Sequence, residues 1–463
     1  MWDNGSMAET TRQFAGPSIR LAELIGALSR ALDLTEGQAF GHSLRSCLIG
    51  MRLAEAIGLD RETRSALFYA LLLKDAGCSS NAALVQDLFA TDDQAAKRDL
   101  KMTDWSSPFR ALRYGLKVAG RGGSAASRLL RLVALAPGGL GPARQMFAVR
   151  CERGAEIVRM MAFPEATAQA IAALDEHWDG RGYPGGLAGE AIPLIARIAC
   201  ISQSFEIFQA SLGREAAIAM VRRRSGRWFD PALVRSLTRL AQEAGFWQEL
   251  SGERQDLMAA VSALEPPETA TMADPERIDQ IAYAFAQIID AKSPYTYARS
   301  EGVARYAVAI GRQLGFSVEE QRQMHLAGLL HDIGKLGVPN LILDKRGPLT
   351  KDEMATVRRH PRYSEEILSE VAAFSALAEV VAVHHERPDG RGYFRGVALG
   401  EYPARHRSLP VADIFEALTA ERPYREALSQ EAALAILHKD AGPGVCPHAL
   451  AALEQALNKG EVA

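Results

Sequence analysis

The stretch Leu329-Leu330-His331-Asp332-Ile333-Gly334-Lys335 closes an apolar helical run with an imidazole, a carboxylate, a glycine and an ammonium. That is a poor way to finish a packed core, since unpaired buried charge is costly, and a good way to build a metal and phosphate site. Further candidate ligands follow: His360 before Pro361, the pair His384-His385, and Asp413 within Val411-Ala412-Asp413-Ile414-Phe415. Each stands beside or inside an apolar run, so groups far apart in sequence can face one centre. Imidazoles with carboxylates suit iron, manganese or zinc better than magnesium or calcium. A shared carboxylate can bridge two ions, and such a pair activates water while neutralising a phosphodiester. Taken singly, His360 reads as a capping or surface histidine, and Asp389-Gly390-Arg391-Gly392-Tyr393 as a turn using glycine's positive φ. Their joint occurrence points to chemistry.

These groups need helices to hold them. Apolar residues recur at three- and four-residue intervals, as in Leu21, Leu24, Ile25 and Leu28 and in Ile278, Ile281, Ala282 and Phe285, while strand-like alternation is scarce. Gly334 is a predicted helix stop, Pro388 halts the helix leading into His384-His385, and Asp413 is expected in a helix starting near Pro410. The two periodic runs are also copies of each other at an offset of 257, which carries Ser43 onto Ser300, Gly58 onto Gly315 and Leu72-Leu73-Lys74-Asp75-Ala76-Gly77 onto Leu329 to Gly334. Further on, Trp178-Asp179-Gly180-Arg181-Gly182-Tyr183-Pro184 matches residues 388–394 at an offset of 210. The first copy therefore carries an insertion, placed near 100–145, where Trp105 to Pro142 is rich in Gly, Arg and Ser. The expected organisation is all-α: two tandem helical bundles at 7–262 and 276–459, joined by a proline-rich linker over 263–275 and packed on one another.

Composition excludes several functions. A net charge of -3 does not argue for non-specific attraction to DNA or an anionic membrane, and Arg222-Arg223-Arg224 reads as a solvated face. The five cysteines show no C-x-x-C pair, so they are expected to be reduced core residues of a cytoplasmic protein. No apolar run approaches membrane-spanning length, and the N-terminus has no basic stretch followed by an apolar one.

In order, Asp290-Ala291-Lys292-Ser293-Pro294-Tyr295-Thr296, His331-Asp332-Ile333-Gly334-Lys335, His360-Pro361, His384-His385-Glu386, Asp389 to Tyr393, Asp413 and Arg422-Pro423-Tyr424 resemble the HD-GYP family of the HD phosphohydrolase superfamily. The resemblance covers nearly all of 276–459. It implies an all-helical domain with two or more divalent metals, iron or manganese, that hydrolyses cyclic di-GMP or a related nucleotide. Asp332 would bridge the ions, with His331 and Asp413 on the first and His360, His384 and His385 on the second. Asp332 and Lys335 would be the catalytic pair, Lys335 meeting a substrate phosphate alongside Arg422. Glu386 would orient a ligating imidazole, and Gly392 and Tyr393 would form the family's loop, where Phe394 replaces a proline and relaxes the backbone. A protein signalling partner and a homodimer are compatible with the resemblance.

Two departures stand out. Where the family places a histidine in Gly-His-Ser, this chain reads Ala298-Arg299-Ser300, and a guanidinium has no lone pair to give. The second metal position is therefore expected to be the tighter one. The first copy keeps His42 and Asp75 but has Lys74, Arg150, Leu174-Asp175 and Gln203 at the other ligand places, so it reads as a pseudo-domain. Completion of the second site by His42 would need the copies to pair through their active faces. Two functions compete: a phosphodiesterase weakened at one ion, or a non-catalytic nucleotide- or protein-binding signalling module in which Arg299 grips a phosphate.

Overall fold

A computed structural model of the chain describes residues 19–82, 93–103, 141–267, 271–293, 299–345, 347–421 and 426–462. The first copy contributes α1 (Leu21–Thr35), α2 (His42–Ala56), α3 (Arg61–Leu73), α4 (Asp93–Met102), α5 (Gly141–Met160), α6 (Glu165–Ala172), α7 (Leu194–Leu212), α8 (Arg214–Arg224) and α9 (Pro231–Leu240), followed by α10 (Ala244–Leu250) and α11 (Arg254–Leu264). The second contributes α12 (Pro275–Asp290), α13 (Arg299–Gln313), α14 (Val318–Leu330), α15 (Asn340–Leu343), α16 (Lys351–Val357), α17 (His360–Leu368), α18 (Ser375–Ala382), α19 (Ala404–Thr419), α20 (Gln430–Lys439) and α21 (Pro447–Asn458). The fold is all-α, and the order of helices in the first copy recurs in the second. Most of the insertion expected near 100–145 lies outside the described residues.

Local chemistry sets many of the helix starts. Asp274 caps α12 through the Arg277 N–H with Pro275 behind it, Ser317 and Glu320 form a reciprocal capping box on α14, and Asp230 caps α9 ahead of Pro231. Asp413 does sit in a helix, but α19 begins at Ala404 and runs through Pro410. The proline removes one N–H from the helix interior without ending it. The segment joining the copies is more structured than its prolines suggest, because Met272–Ala273 (β2) pairs antiparallel with Ile19–Arg20 (β1). Two residues are too few to show alternation.

The arginine run is split. Arg222 and Arg223 are exposed, while Arg224 is buried, lies 3.9 Å over the Trp228 ring and donates to the Met102 carbonyl. Its flat guanidinium packs like an aromatic ring. All five cysteines are buried and free. No helix among the described residues is long and apolar enough to cross a membrane.

The copies pack directly on one another. Helix α1 lies against α17 and the 3-10 turn Ile333–Gly337, while α12 lies against α5. Arg30 of α1 pairs with Glu366 and Glu370, and Gln287 of α12 accepts from Arg153 of α5. The buried Asp93 at the start of α4 accepts from Lys292 Nζ (2.9 Å) and the Asn340 N–H (2.8 Å) of the second copy.

Candidate metal centre

Four elements of the second copy converge on one point. The Asp290 carboxylate at the end of α12 accepts the Ser300 N–H (3.2 Å) and hydroxyl (2.7 Å), which fixes the start of α13 and with it Arg299. Helix α14 stops at Leu330 and hands on to His331, Asp332 and the 3-10 turn. At Gly334 a Cβ would fall 2.0 Å from the His360 carbonyl oxygen, so only glycine lets that turn lie against α17. The Ser364 hydroxyl locks the contact, donating to the His331 carbonyl and accepting the Gly334 N–H, both at 2.9 Å.

The imidazoles are oriented from behind. Nδ1 of His331, His360 and His384 lies 2.8, 2.7 and 2.5 Å from the carbonyls of Gly328, Val357 and Val381. A carbonyl only accepts, so each Nδ1 carries the proton, which leaves Nε2 of His360 and His384 to present a lone pair inward. Burial pushes His360 down to about 4 and His385 well below the usual imidazole range, keeping both neutral and able to ligate.

Ligand atoms of Asp332, His360, His384 and His385 all lie within 4.8 Å of one another. Oδ1 of Asp332 is 3.3 Å from His360 Nε2 and 3.7 Å from His384 Nε2, and those two nitrogens are 3.3 Å apart. Donors bound to one ion at about 2.1 Å stand roughly 3 to 3.5 Å from each other, so this spacing suits a single shared cation. Oδ1 of Asp332 is also buried with no hydrogen-bond partner among the described residues. A carboxylate oxygen facing imidazole lone pairs without a donor calls for a cation, and the set fits a divalent transition metal.

The other expected position differs. Arg299 pairs with Oδ1 of Asp413 through Nη2, its Nη1 lies 3.9 Å from Oδ2 of Asp332, and its Nε lies 3.4 Å from Glu416. His331 Nε2 is 3.2 Å from Asp332 and 3.5 Å from Asp413. Burial lowers the His331 imidazole, but the two carboxylates outweigh it and carry it up to about 10. Burial likewise raises Asp413, and Arg299 and His331 more than reverse it, holding the carboxyl well below its usual range. A side-chain cation therefore already stands on the carboxylate of the first position.

The remaining sequence candidates divide. Lys335 Nζ lies 2.5 Å from Oδ2 of Asp332. Tyr393 stacks on His385 with ring centroids 4.7 Å apart, and the Arg358 guanidinium lies over the Tyr393 ring at 5.1 Å. Gly392 is required, because a Cβ there would sit 2.4 Å from Glu386 Cα. Arg422 lies outside the described residues. Glu386 does not touch an imidazole: its carboxylate accepts the N–H groups of Arg395, Gly396 and Val397 and ties down the loop. The Tyr393–Phe394 peptide is cis, as is Tyr183–Pro184 at the matching place.

The first copy holds side-chain cations where the second holds ligands. Lys74 pairs with Oδ2 of Asp75, Lys101 lies 2.9 Å from Oδ1 of Asp75 and 2.7 Å from Glu36, and Arg150 is 2.5 Å from Asp175. Glu36, Asp75 and Cys78 are close enough to hold an ion, but Lys101 already stands between the two carboxylates and Lys74 on Asp75. His42 is buried against Glu206 in its own copy and contributes nothing to the second site.

Sequence reasoning missed Glu416 and Lys101. Glu416 follows Asp413 by three residues on an apolar helix, the spacing that puts both on one face, and the repeat places Glu206 at the matching point. Lys101 borders the insertion and has no counterpart, so no signal marked it.

An all-helical scaffold with a histidine-carboxylate cluster at a helix end defines a metal-dependent hydrolase class of site. A family model described as "HD domain" matches residues 132–233 and 284–444. A Vibrio cholerae protein named 3'3'-cGAMP-specific phosphodiesterase 3 is 43% identical over 439 residues, covering 95% of each chain. A cyclic di-GMP phosphodiesterase response regulator of Xanthomonas campestris is 37% identical over 201 residues, 43% of this chain and 50% of that one. A crystal structure titled as a cyclic GMP-AMP specific phosphodiesterase of V. cholerae superposes with a TM-score of 0.66 at 39% identity, covering 95% of this chain and 98% of the other. The chain belongs to the HD-GYP family of the HD superfamily.

Proposed function

We propose that the chain is a metal-dependent cyclic dinucleotide phosphodiesterase, with residues 276–459 carrying the reaction and 7–262 forming a degenerate companion. The observation that carries this reading is the partnerless Oδ1 of Asp332 facing the imidazoles of His360 and His384. The favoured substrate is 3'3'-cGAMP, after the V. cholerae relative that matches both copies, ahead of cyclic di-GMP, after relatives that match about half. The buried, free cysteines support a reducing, cytoplasmic setting.

In this reading Asp332, His360, His384 and His385 hold one divalent ion, iron or manganese by their donor chemistry. When bound, the ion supplies an activated water and positive charge at the phosphodiester. Lys335 stands at the rim on Oδ2 of Asp332 and adds a point charge for non-bridging oxygens. Tyr393 lies flat on His385, and the exposed guanidinium of Arg358 over its ring offers a plane on which a base can stack. Arg299 lies between Asp413 and Glu416, giving the first position positive charge without an open coordination site.

That same guanidinium favours a second reading, nucleotide binding without turnover. The two separate in one experiment: purified chain is analysed for metal and assayed with 3'3'-cGAMP and cyclic di-GMP under Mn(II) or anaerobic Fe(II). Bound metal with release of linear dinucleotide is expected. Metal-free protein that leaves both substrates intact overturns the enzyme reading.

A further inference from the structure

The first copy keeps a cavity over its altered site, with about 750 Å³ of atom-free space partly open to solvent. Two pairs of flat rings line it: Phe147 and Tyr183 are parallel with centroids 5.0 Å apart, and His177 lies on Trp228 at 4.0 Å. Lys97, Lys101 and Arg150 line the same space. Asn81 and Gln203, 4% and 5% exposed, also reach it, and the carboxamide oxygen of each is buried without a hydrogen-bond partner among the described residues. Buried acceptors without donors are costly, and a ligand bearing N–H groups would satisfy them. Aromatic faces, waiting acceptors for ring N–H groups, and ammonium and guanidinium groups together match a purine nucleotide.

Helix α4 joins this cavity to the second copy. Lys97 and Lys101 project into the cavity, while Asp93, one and two turns earlier on the same helix, accepts from Lys292 and the Asn340 N–H. Gln94 donates to the Leu336 carbonyl at 3.2 Å, in the 3-10 turn next to Lys335. A nucleotide phosphate that draws Lys101 from Asp75 and Glu36 would shift α4, and α4 is bonded to the turn that carries Lys335.

We propose that the first copy is a purine-nucleotide binding site whose occupancy reaches the second copy's centre through α4. Binding here is independent of turnover in the second copy, so the test uses the full chain with Asp332→Asn, which removes turnover there, and the first-copy substitutions below assign the bound nucleotide to this cavity. Isothermal titration calorimetry with GMP and with AMP should show one nucleotide bound per chain. Adding Phe147→Ala or Gln203→Leu should weaken it about tenfold, the order of one lost stacking or hydrogen-bonding contact, with the thermal melt unchanged. Hydrogen exchange over residues 333–343 should change on addition of the bound nucleotide. No heat with either nucleotide, or binding that survives both substitutions undiminished, overturns the site. Unchanged exchange in that turn while nucleotide is bound overturns the coupling.

Discussion

At the scale of single residues, the carboxylate of Asp332 divides the centre. Its Oδ2 is met by Lys335 and faces Arg299, whereas its Oδ1 has only imidazoles before it. The purified chain should therefore carry one tightly held ion, and Arg299→His should raise the metal content from one to two per chain by elemental analysis. An unchanged count would mean that Asp413 and His331 cannot ligate even when freed. Removing His360 with alanine should lower affinity for the remaining ion by more than about 100-fold, beyond what loss of an outer-shell partner costs. That His331, Asp332, His360, His384, His385 and Asp413 gather at one place was legible in the sequence, because His and Asp at the ends of apolar runs have few other uses. What Arg299 contacts was not, since its partners Asp413 and Glu416 lie 114 and 117 positions away by number and are brought near only by α19 meeting α13.

Among elements, the turn after the HD pair is the critical joint in both copies. A Cβ at Gly77 would lie 1.9 Å from the Arg150 carbonyl, matching the 2.0 Å clash at Gly334. Gly334→Ala and Gly77→Ala should each cost about 3 kcal/mol or more by chemical denaturation, because backbone rather than a flexible side chain must yield. Only Gly334→Ala should also release metal. The glutamates that tie down the following loops repeat too, Glu176 accepting from Gly185, Gly186 and Leu187 as Glu386 does from 395–397. Glu386→Ala should raise KM more than it lowers kcat, since it loosens the loop bearing Tyr393 and leaves the ligands in place. The helices were legible from periodicity, and the repeat from register. Pro410 misled because a proline more often opens a helix than rides inside one, and Glu386 misled because adjacency to His385 in sequence is not adjacency of side chains.

For the molecule as a whole, a buried ion pair holds the copies together. Burial raises the Asp93 carboxyl, but Lys292 and Lys97 outweigh it and keep it below its ordinary value. A lowered carboxyl contributes stability that is present above its unfolded value, about 3.9, and is lost as pH falls through the folded one. Urea denaturation from pH 7 to pH 3 should show this loss in the acid limb. Lys292→Met should destabilise the chain by about 1 to 3 kcal/mol at pH 7, since Asp93 keeps Lys97 at 3.7 Å and the Asn340 N–H but loses its direct partner, and should flatten that limb. A slope unchanged by the substitution would remove Asp93 as its source. The sequence suggested that the copies pack together, but not which faces meet, because the contacting residues Arg30, Gln287, Asp93 and Lys292 carry no pattern of their own.

The way the copies meet has one more consequence. Helix α1 packs on α17 of the second copy, and its counterpart α12 packs on α5, the counterpart of α17; Arg30 and Gln287 hold matching places in the two contacts. The short strands ahead of α1 and α12 also run antiparallel to each other. Each half thus gives and receives the same patch, the isologous geometry of a two-fold homodimer. The subunits of a homodimer must be identical, whereas two halves of one chain need not be, and here Lys74 and Arg150 stand in one half where His331 and His360 stand in the other.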